Sequence, residues 1–411
     1  MSTRNPLAGL RTSRLLTTET ASEGDRVTTL ELLFDLVYVF AFTQITQLMS
    51  HGHGAEGVLQ GLAVLGMLWW TWVSYSWLAN QAHADRGLIR IGVIVAMATM
   101  FVVSLVIPET FEDLEGGLYA PAVFVIGFEL VVLTHAVVYV VAAGTDAGLR
   151  RQVIRTMGLA SLPVAILLIA GVVLGGHPQT WFWCAAVLVE GVLVFVTSHG
   201  GDWRINSMAH FSERHGLIVI LALGESIVAI GVGVAELPIS GPILAGSLLA
   251  VGLAVGMWWN YFHHLAPKTE HALNARSGVD RVNAATDVYT YLHLPVVAGI
   301  LIVALGVELA MHDVESAHEL GSFAAWALGG GLALYLATTA FVWARVAGEW
   351  SILRLGAAVL ALCLVPVMAA APALLGLAVL LVISVAVGAA EGALRSQPTW
   401  SRAHRSSSPR K

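Results

Sequence analysis

The chain has 411 residues, of which 57% are hydrophobic and only 12% charged, with a formal net charge of −6. A mean hydropathy of +0.77 excludes a water-soluble domain and points to an all-α, polytopic membrane protein. The net charge carries little information about partners, because in a membrane protein the placement of charge matters more than its sum.

Residues 1–27 are polar and hold no apolar run, so they read as a cytoplasmic tail and not as a cleavable leader. Apolar windows of about 20 residues then place twelve membrane helices near 28–49, 57–79, 88–107, 119–143, 153–174, 179–198, 213–235, 241–263, 288–310, 321–345, 351–370 and 372–392. Gly175–Gly176 and Ala371–Pro372 mark tight turns between neighbours. On this count every Lys and Arg falls on one side: in the two tails and in the links before helices 3, 5, 7, 9 and 11. The 108–118 loop instead carries Glu109, Glu112, Asp113 and Glu115. By the positive-inside rule both termini are cytoplasmic and the protein lies in the inner (plasma) membrane. The basic stretch 393–411 reads as a contact for anionic lipid and not as a nucleic-acid site.

An even helix count in each half makes any internal duplication parallel and not inverted. The expected halves are 28–198 and 213–392, joined by a cytoplasmic linker at 199–212. A shift of 190 residues lays Asp35 on Glu225, and a shift of 189 lays Trp69-Trp70 on Trp258-Trp259.

Ionisable groups inside apolar spans are costly and therefore candidates for function. Glu31 and Asp35 stand four apart on helix 1 and share a face. Thr28-Thr29-Leu30-Glu31 also fits the capping box, which gives Glu31 a structural alternative. Glu225 is the acid of helix 7. Counting about 1.5 Å per residue from Arg26 and Arg214, taken as interface markers, puts Asp35 and Glu225 near mid-membrane. Glu129 and His135 on helix 4, Glu190 on helix 6 and His293 at the start of helix 9 are further candidates; Glu236 and Glu308, near helix ends, are weaker ones. Each has the competing reading of a buried, paired group that fixes helix packing.

Trp69, Trp70, Trp72, Trp181, Trp183, Trp258 and Trp259 are expected in interfacial belts. Gly224, Gly231, Gly233, Gly252 and Gly256 are expected to let helices approach closely, and Cys184 and Cys363 to be small core residues. No phosphate-binding loop, zinc-protease motif or nucleophile–base constellation is present, so neither an enzyme nor a cofactor is indicated, and His263-His264, with His210 and His215 on the same cytoplasmic side, lacks metal-ligand spacing.

The stretches 30–44 (LELLFDLVYVFAFTQ), 210–226 (HFSERHGLIVILALGES) and 291–308 (YLHLPVVAGILIVALGVE) resemble, in order and spacing, the bacterial low temperature requirement A family of membrane proteins. The resemblance covers residues 26–392 and rests on Glu31, Phe34, Asp35, Glu213, Arg214, Gly224, Glu225 and His293. It implies a multi-helix membrane protein linked by name to growth in the cold, with no biochemical activity to carry over. Phe34-Asp35-Leu36-Val37-Tyr38 with Ala41 is also similar to the FSDxVFAIA signature of the bacterial and lysosomal potassium channel family.

The leading expectation is a transporter or channel for a proton, small cation or small solute, with Asp35 and Glu225 at its centre. The alternatives are a membrane scaffold adapted to cold and, behind it, an intramembrane lipid enzyme. The bilayer is the one partner that composition requires; no feature fixes an oligomeric state.

Overall fold

A computed structural model describes residues 26–396 apart from His53, Glu236, Ser316 and Ala317. The N-terminal tail before Arg26, the basic tail beyond residue 396 and the candidate Glu236 lie outside the described residues. Among those described, every regular element is a helix, and twelve are long and apolar enough to cross a membrane. They are α1 (Thr29–His51), α2 (Ala55–Gln81), α3 (Gly87–Leu105), α4 (Ala120–Ala142), α5 (Ala147–Leu174), α6 (Gly176–Ser198), α7 (Met208–Gly233), α8 (Gly241–Asn274), α9 (Gly278–His312), α10 (Ser322–Ala347), α11 (Ile352–Ala369) and α12 (Ala373–Ser396).

Helix ends are set by residues that satisfy the orphan amides of a first turn. Thr28 and Glu31 form a complete capping box on α1, Asp146 accepts from Leu149 N on α5, and Ser240 and Ser351 cap α8 and α11. Gly175 and Gly176, at φ of 64° and 53°, make the α5–α6 turn in a backbone region that side chains disfavour. The Asp146 cap starts α5 before its apolar window, so Arg150 and Arg151 belong to the helix and not to the link.

The largest departure from the hydropathy reading is in α8 and α9, which run to 34 and 35 residues. Each continues through a π turn, Asn260–Leu265 in α8 and Thr286–Leu292 in α9. A proline follows each turn, Pro267 and Pro295. Lacking an N–H and crowding the preceding carbonyls, proline favours such a widened turn over a regular one. The segments thereby appended, Ala266–Asn274 and Gly278–Ala285, are too polar to register in an apolar window.

The chain divides into two compact units, one of residues up to Leu221 with Arg276–Thr290, the other of Ala222–Ala275 and Tyr291 onward. In the first, α2 is the buried helix and packs against α1, α4 and α6. Its tryptophans form core and not an interfacial belt: Trp69, Trp70 and Trp72 are all buried. Trp69 donates to Thr290 O at 2.7 Å and Trp77 to Thr290 Oγ1 at 3.1 Å, fixing the π turn to α2. Trp183 is likewise buried and donates to Leu168 O, whereas Trp181 is exposed.

In the second unit, α9 and α10 lie so close that a Cβ on Gly299 would sit 2.8 Å from Tyr335 N and 2.9 Å from Gly331 O. Gly252 and Gly256 abut Leu381 and Ser384 of α12, and Gly233 abuts Glu308 O. These three bear out the expectation of close packing. Gly224 and Gly231 do not, since a Cβ at either meets open space. Trp258 and Trp259 are exposed, as a belt requires. Cys184 is half-buried and Cys363 exposed, so neither is the fully buried core residue expected.

Candidate functional site

The first unit carries a buried ionic network built from two matching pairs. Glu31 and Asp35 are four apart on α1; His210 and Arg214 are four apart on α7. At that spacing each pair shares one helix face, and the two faces meet. Arg214 Nη1 donates to Glu31 Oε2 at 3.0 Å, and its Nη2 to Asp35 Oδ1 at 2.8 Å. Its Nε reaches Ser76 Oγ of α2 at 3.4 Å, and the guanidinium lies 5.5 Å from the Trp72 ring centroid. His210 Nε2 is 3.0 Å from Glu31 Oε2 and, facing a carboxylate, donates to it. Trp72 Nε1 adds a third donor to the pair of acids, 2.9 Å from Asp35 Oδ1.

Local structure holds these groups in place. The capping box gives Glu31 a second bond through Oε1, from Thr28 Oγ1 at 2.9 Å. At the start of α7, Asn80 at the end of α2 accepts from Asn206 N at 2.7 Å and donates to Ser207 O at 2.6 Å. Ser207 Oγ then accepts from His210 N. One turn deeper on α1, Tyr38 pairs with Thr71 at 2.9 Å, and Phe34 packs between the rings of Tyr38 and Tyr75.

Glu31, Asp35, His210 and Arg214 are each no more than 3% exposed. Burying single ions costs several kcal/mol each, roughly, and is tolerated only with close pairing and further hydrogen bonds. Arg214 meets that condition, with a partner on all three nitrogens. Two atoms of the network do not: Asp35 Oδ2 and His210 Nδ1 are buried without a hydrogen-bond partner. Asp35 also borders an open groove of about 310 Å³ on the outer face of α1 and α7, lined by Thr29, Leu32, Leu33, Leu36, Leu217 and Leu221, of which Leu32, Leu33 and Leu36 are exposed.

Arg214 is therefore not the interface marker assumed from its place in a basic link. It reaches the two acids of α1 directly, so a depth counted from it does not hold. Arg354 is corrected in the same way. In the second unit it is fully buried, bonds both carboxylate oxygens of Glu391 at 2.7 and 2.8 Å, and reaches Asn260 O in the α8 π turn at 2.9 Å.

The other sequence candidates are dispersed. Glu225 is buried in the second unit. His293 Nε2 lies 2.7 Å from Tyr261 OH, so the α8 π turn is hydrogen-bonded to the first residue after the α9 π turn. His135 Nε2 faces Ser74 O at 3.0 Å. Glu129 and Glu190 are half-buried, each with one buried oxygen that has no hydrogen-bond partner. Glu213 Oε2 accepts from Val27 N at 3.4 Å, and Gly224 borders open space. Sequence reasoning missed His210, Trp72 and Ser76, and it missed Arg214 as the counter-ion of the α1 acids. The available signal was the repeated four-residue spacing of opposite charges.

An uncharacterized protein of Rhizobium meliloti (strain 1021) is 28% identical over 327 residues, 75% of each chain. No solved structure matches the chain significantly. Residues 26–389 match the family described as bacterial low temperature requirement A protein. That match spans all three of the sequence stretches discussed above, and with them the whole buried network. The chain belongs to the bacterial low temperature requirement A (LtrA) family.

Proposed function

We propose that this protein is a membrane transporter or channel in which the Glu31–Asp35–Arg214–His210 network binds and releases a proton during movement of a small cation or small solute. The observation that carries this reading is Asp35: one carboxylate oxygen is held by Arg214 and Trp72, the other is buried without a hydrogen-bond partner, and the residue borders an apolar groove. Two carboxylates face the single guanidinium of Arg214, so the network holds two acids to one permanent positive charge. A proton closes that imbalance with a single oxygen. A bare divalent cation asks for six or more oxygen ligands or near-octahedral geometry, which this apolar wall does not provide. Glu225 is the second acid of the reading, the counterpart of Asp35 in a parallel two-repeat chain with both termini in the cytoplasm of the inner membrane.

The test is flux through purified protein in proteoliposomes, read with an internal pH dye under an imposed potential. Asp35→Asn and Glu225→Gln are expected to abolish flux while the detergent-solubilised protein keeps its melting temperature within a few degrees. Complementation of cold growth serves as readout for unidentified cargo. Wild-type flux or normal complementation by both variants removes the role given to these acids.

A scaffold role is the second reading, favoured by the Arg354–Glu391 pair, a buried bidentate ion pair that also ties α11 to Asn260 O of the α8 π turn. It predicts that Asp35→Asn lowers stability and cold growth together, with no flux in the wild type.

A further inference from the structure

A second polar site lies in the first unit, apart from the ionic network. A cavity of about 40 Å³ is lined by α2, α4, α5, α6, the α6–α7 loop and the π turn of α9, with His135, Tyr139, Trp77, Thr156, Trp203 and Thr290 among its walls. Three of these residues carry a buried polar atom with no partner in the protein: His135 Nδ1, Tyr139 OH and Trp203 Nε1. They stand in a row, Tyr139 being edge-on to both His135 (centroids 5.4 Å apart) and Trp203 (5.5 Å). His135 and Tyr139 are almost wholly buried, at 3% and 0% exposure. None of the lining residues belongs to the network around Arg214.

The hydrogen-bonding capacity of these atoms defines what would fit. His135 Nε2 faces a carbonyl, Ser74 O, and must donate to it; in the neutral ring this leaves Nδ1 as an acceptor. Trp203 Nε1 can only donate, and Tyr139 can do either. A ligand that satisfies all three needs an N–H or O–H and an acceptor oxygen within a few atoms. No Lys, Arg, Asp or Glu lines the cavity, so an ion would enter without a counter-charge, which burial penalises heavily. The volume exceeds the roughly 10–15 Å³ needed for one water and is far below the roughly 300 Å³ at which pockets for drug-sized ligands begin.

We propose that this cavity is a binding site for a small neutral molecule that both donates and accepts hydrogen bonds, either a cluster of two or three waters or a solute of primary-amide type. The site makes His135 a hydrogen-bond acceptor of the ligand and not an ion ligand, and Trp203 closes it from the α6–α7 loop.

The experiment uses full-length, perdeuterated protein with ¹⁵N-labelled tryptophan in lipid nanodiscs, the Trp203 indole resonance being assigned by its loss in Trp203→Phe. A rotating-frame Overhauser peak between water and that indole proton identifies ordered water. A saturable shift of the same resonance on titration with acetamide identifies a solute site, and Tyr139→Phe and His135→Phe are expected to weaken acetamide binding at least tenfold. A wild-type density map is a second readout that needs no variant: density within hydrogen-bonding distance of both His135 Nδ1 and Trp203 Nε1 supports the site. A dry cavity in that map, or an indole that responds to neither water nor acetamide, overturns it, as does an acetamide shift unchanged in both variants.

Discussion

Arg214 Nη2 lies 2.8 Å from Asp35 Oδ1, and this contact joins α7 to α1 inside the first unit. A guanidinium stays protonated under all conditions a protein meets, so the positive charge here is permanent. It bridges two carboxylates one turn apart on α1, with one terminal nitrogen on each. The donors of Trp72 and His210 flank it, so three elements meet at one cation. Removing any one group leaves the others buried with less compensation.

Arg214→Gln is expected to be the most damaging single change in this unit. It strands Glu31 and Asp35 in apolar surroundings, and breaking a buried ion pair in this way costs about 3–5 kcal/mol. Arg214→Lys keeps the charge but not the fork that reaches both acids and Ser76, so partial recovery is expected. Yield after detergent extraction and melting temperature are the measurements. A double variant, Arg214→Gln with Asp35→Asn, should be more stable than Arg214→Gln alone; an equal or lower melting temperature contradicts the pairing.

Much of the fold was legible because it is written in a one-dimensional pattern. Twelve apolar windows, the Thr28–Glu31 capping box and the Gly175–Gly176 turn all follow from residues that act within a few positions of themselves. What was not legible depends on long-range partners. By sequence Arg214 and Arg354 read as parts of basic links, and nothing local reveals that each turns inward to meet an acid from another helix. The α2 tryptophans fail for the same reason. A tryptophan near a helix end fits a lipid interface or a core equally well, and acceptors more than 30 positions away in the chain, Asp35 and Thr290, decide between them. The π turns escaped because hydropathy averages over backbone geometry.

Glu31 belongs to both a cap and an ion pair, and two substitutions separate these roles. Thr28→Ala removes the cap side chain and should cost about 1 kcal/mol, the usual value for an N-cap. Glu31→Gln can still return to the Thr28 amide as a capping-box partner, but it loses its charge opposite Arg214 and His210. Glu31→Gln is therefore expected to lower the melting temperature more than Thr28→Ala. The reverse order would make Glu31 mainly a cap.

In the second unit, Gly299→Val should disrupt the α9–α10 contact. The new Cβ would meet backbone atoms of α10 at 2.8 and 2.9 Å, and backbone cannot rotate away as a side chain can. Overpacking of this kind costs about 1–3 kcal/mol, occasionally more. Gly231→Ala is the control, since its Cβ meets nothing and alanine is favoured over glycine inside a helix by about 0.5–1 kcal/mol. Thermal unfolding in detergent should therefore fall for the first and hold or rise for the second. Equal behaviour would mean that helix propensity, and not the close approach, governs stability at these positions.

The last prediction concerns sidedness, where burial changes the argument drawn from charge. Arg214 and Arg354 are paired inside the protein, so neither should count in the bias that orients a membrane chain. The remaining Lys and Arg residues between the tails still alternate with the links: Arg86 and Arg90, Arg150, Arg151 and Arg155, Arg204, Lys268, Arg276 and Arg281, and Arg345 all flank even-to-odd connections. The opposite links carry no Lys or Arg, and the α3–α4 link carries Glu109, Glu112, Asp113 and Glu115. The positive-inside rule depends on Lys and Arg within about 15–20 residues of helix ends, and those positions survive the subtraction. Reporter fusions after Gly116, Gly176 and His318 should thus read as external, and fusions after Ala147, Gly201 and Ser277 as cytoplasmic. Arg214→Gln should leave this pattern unchanged even as it destabilises the protein, because the buried guanidinium is a packing charge and not a topogenic one. A reversal in any one link of the wild type would break the twelve-helix threading, and a reversal caused by Arg214→Gln would return that residue to the interface.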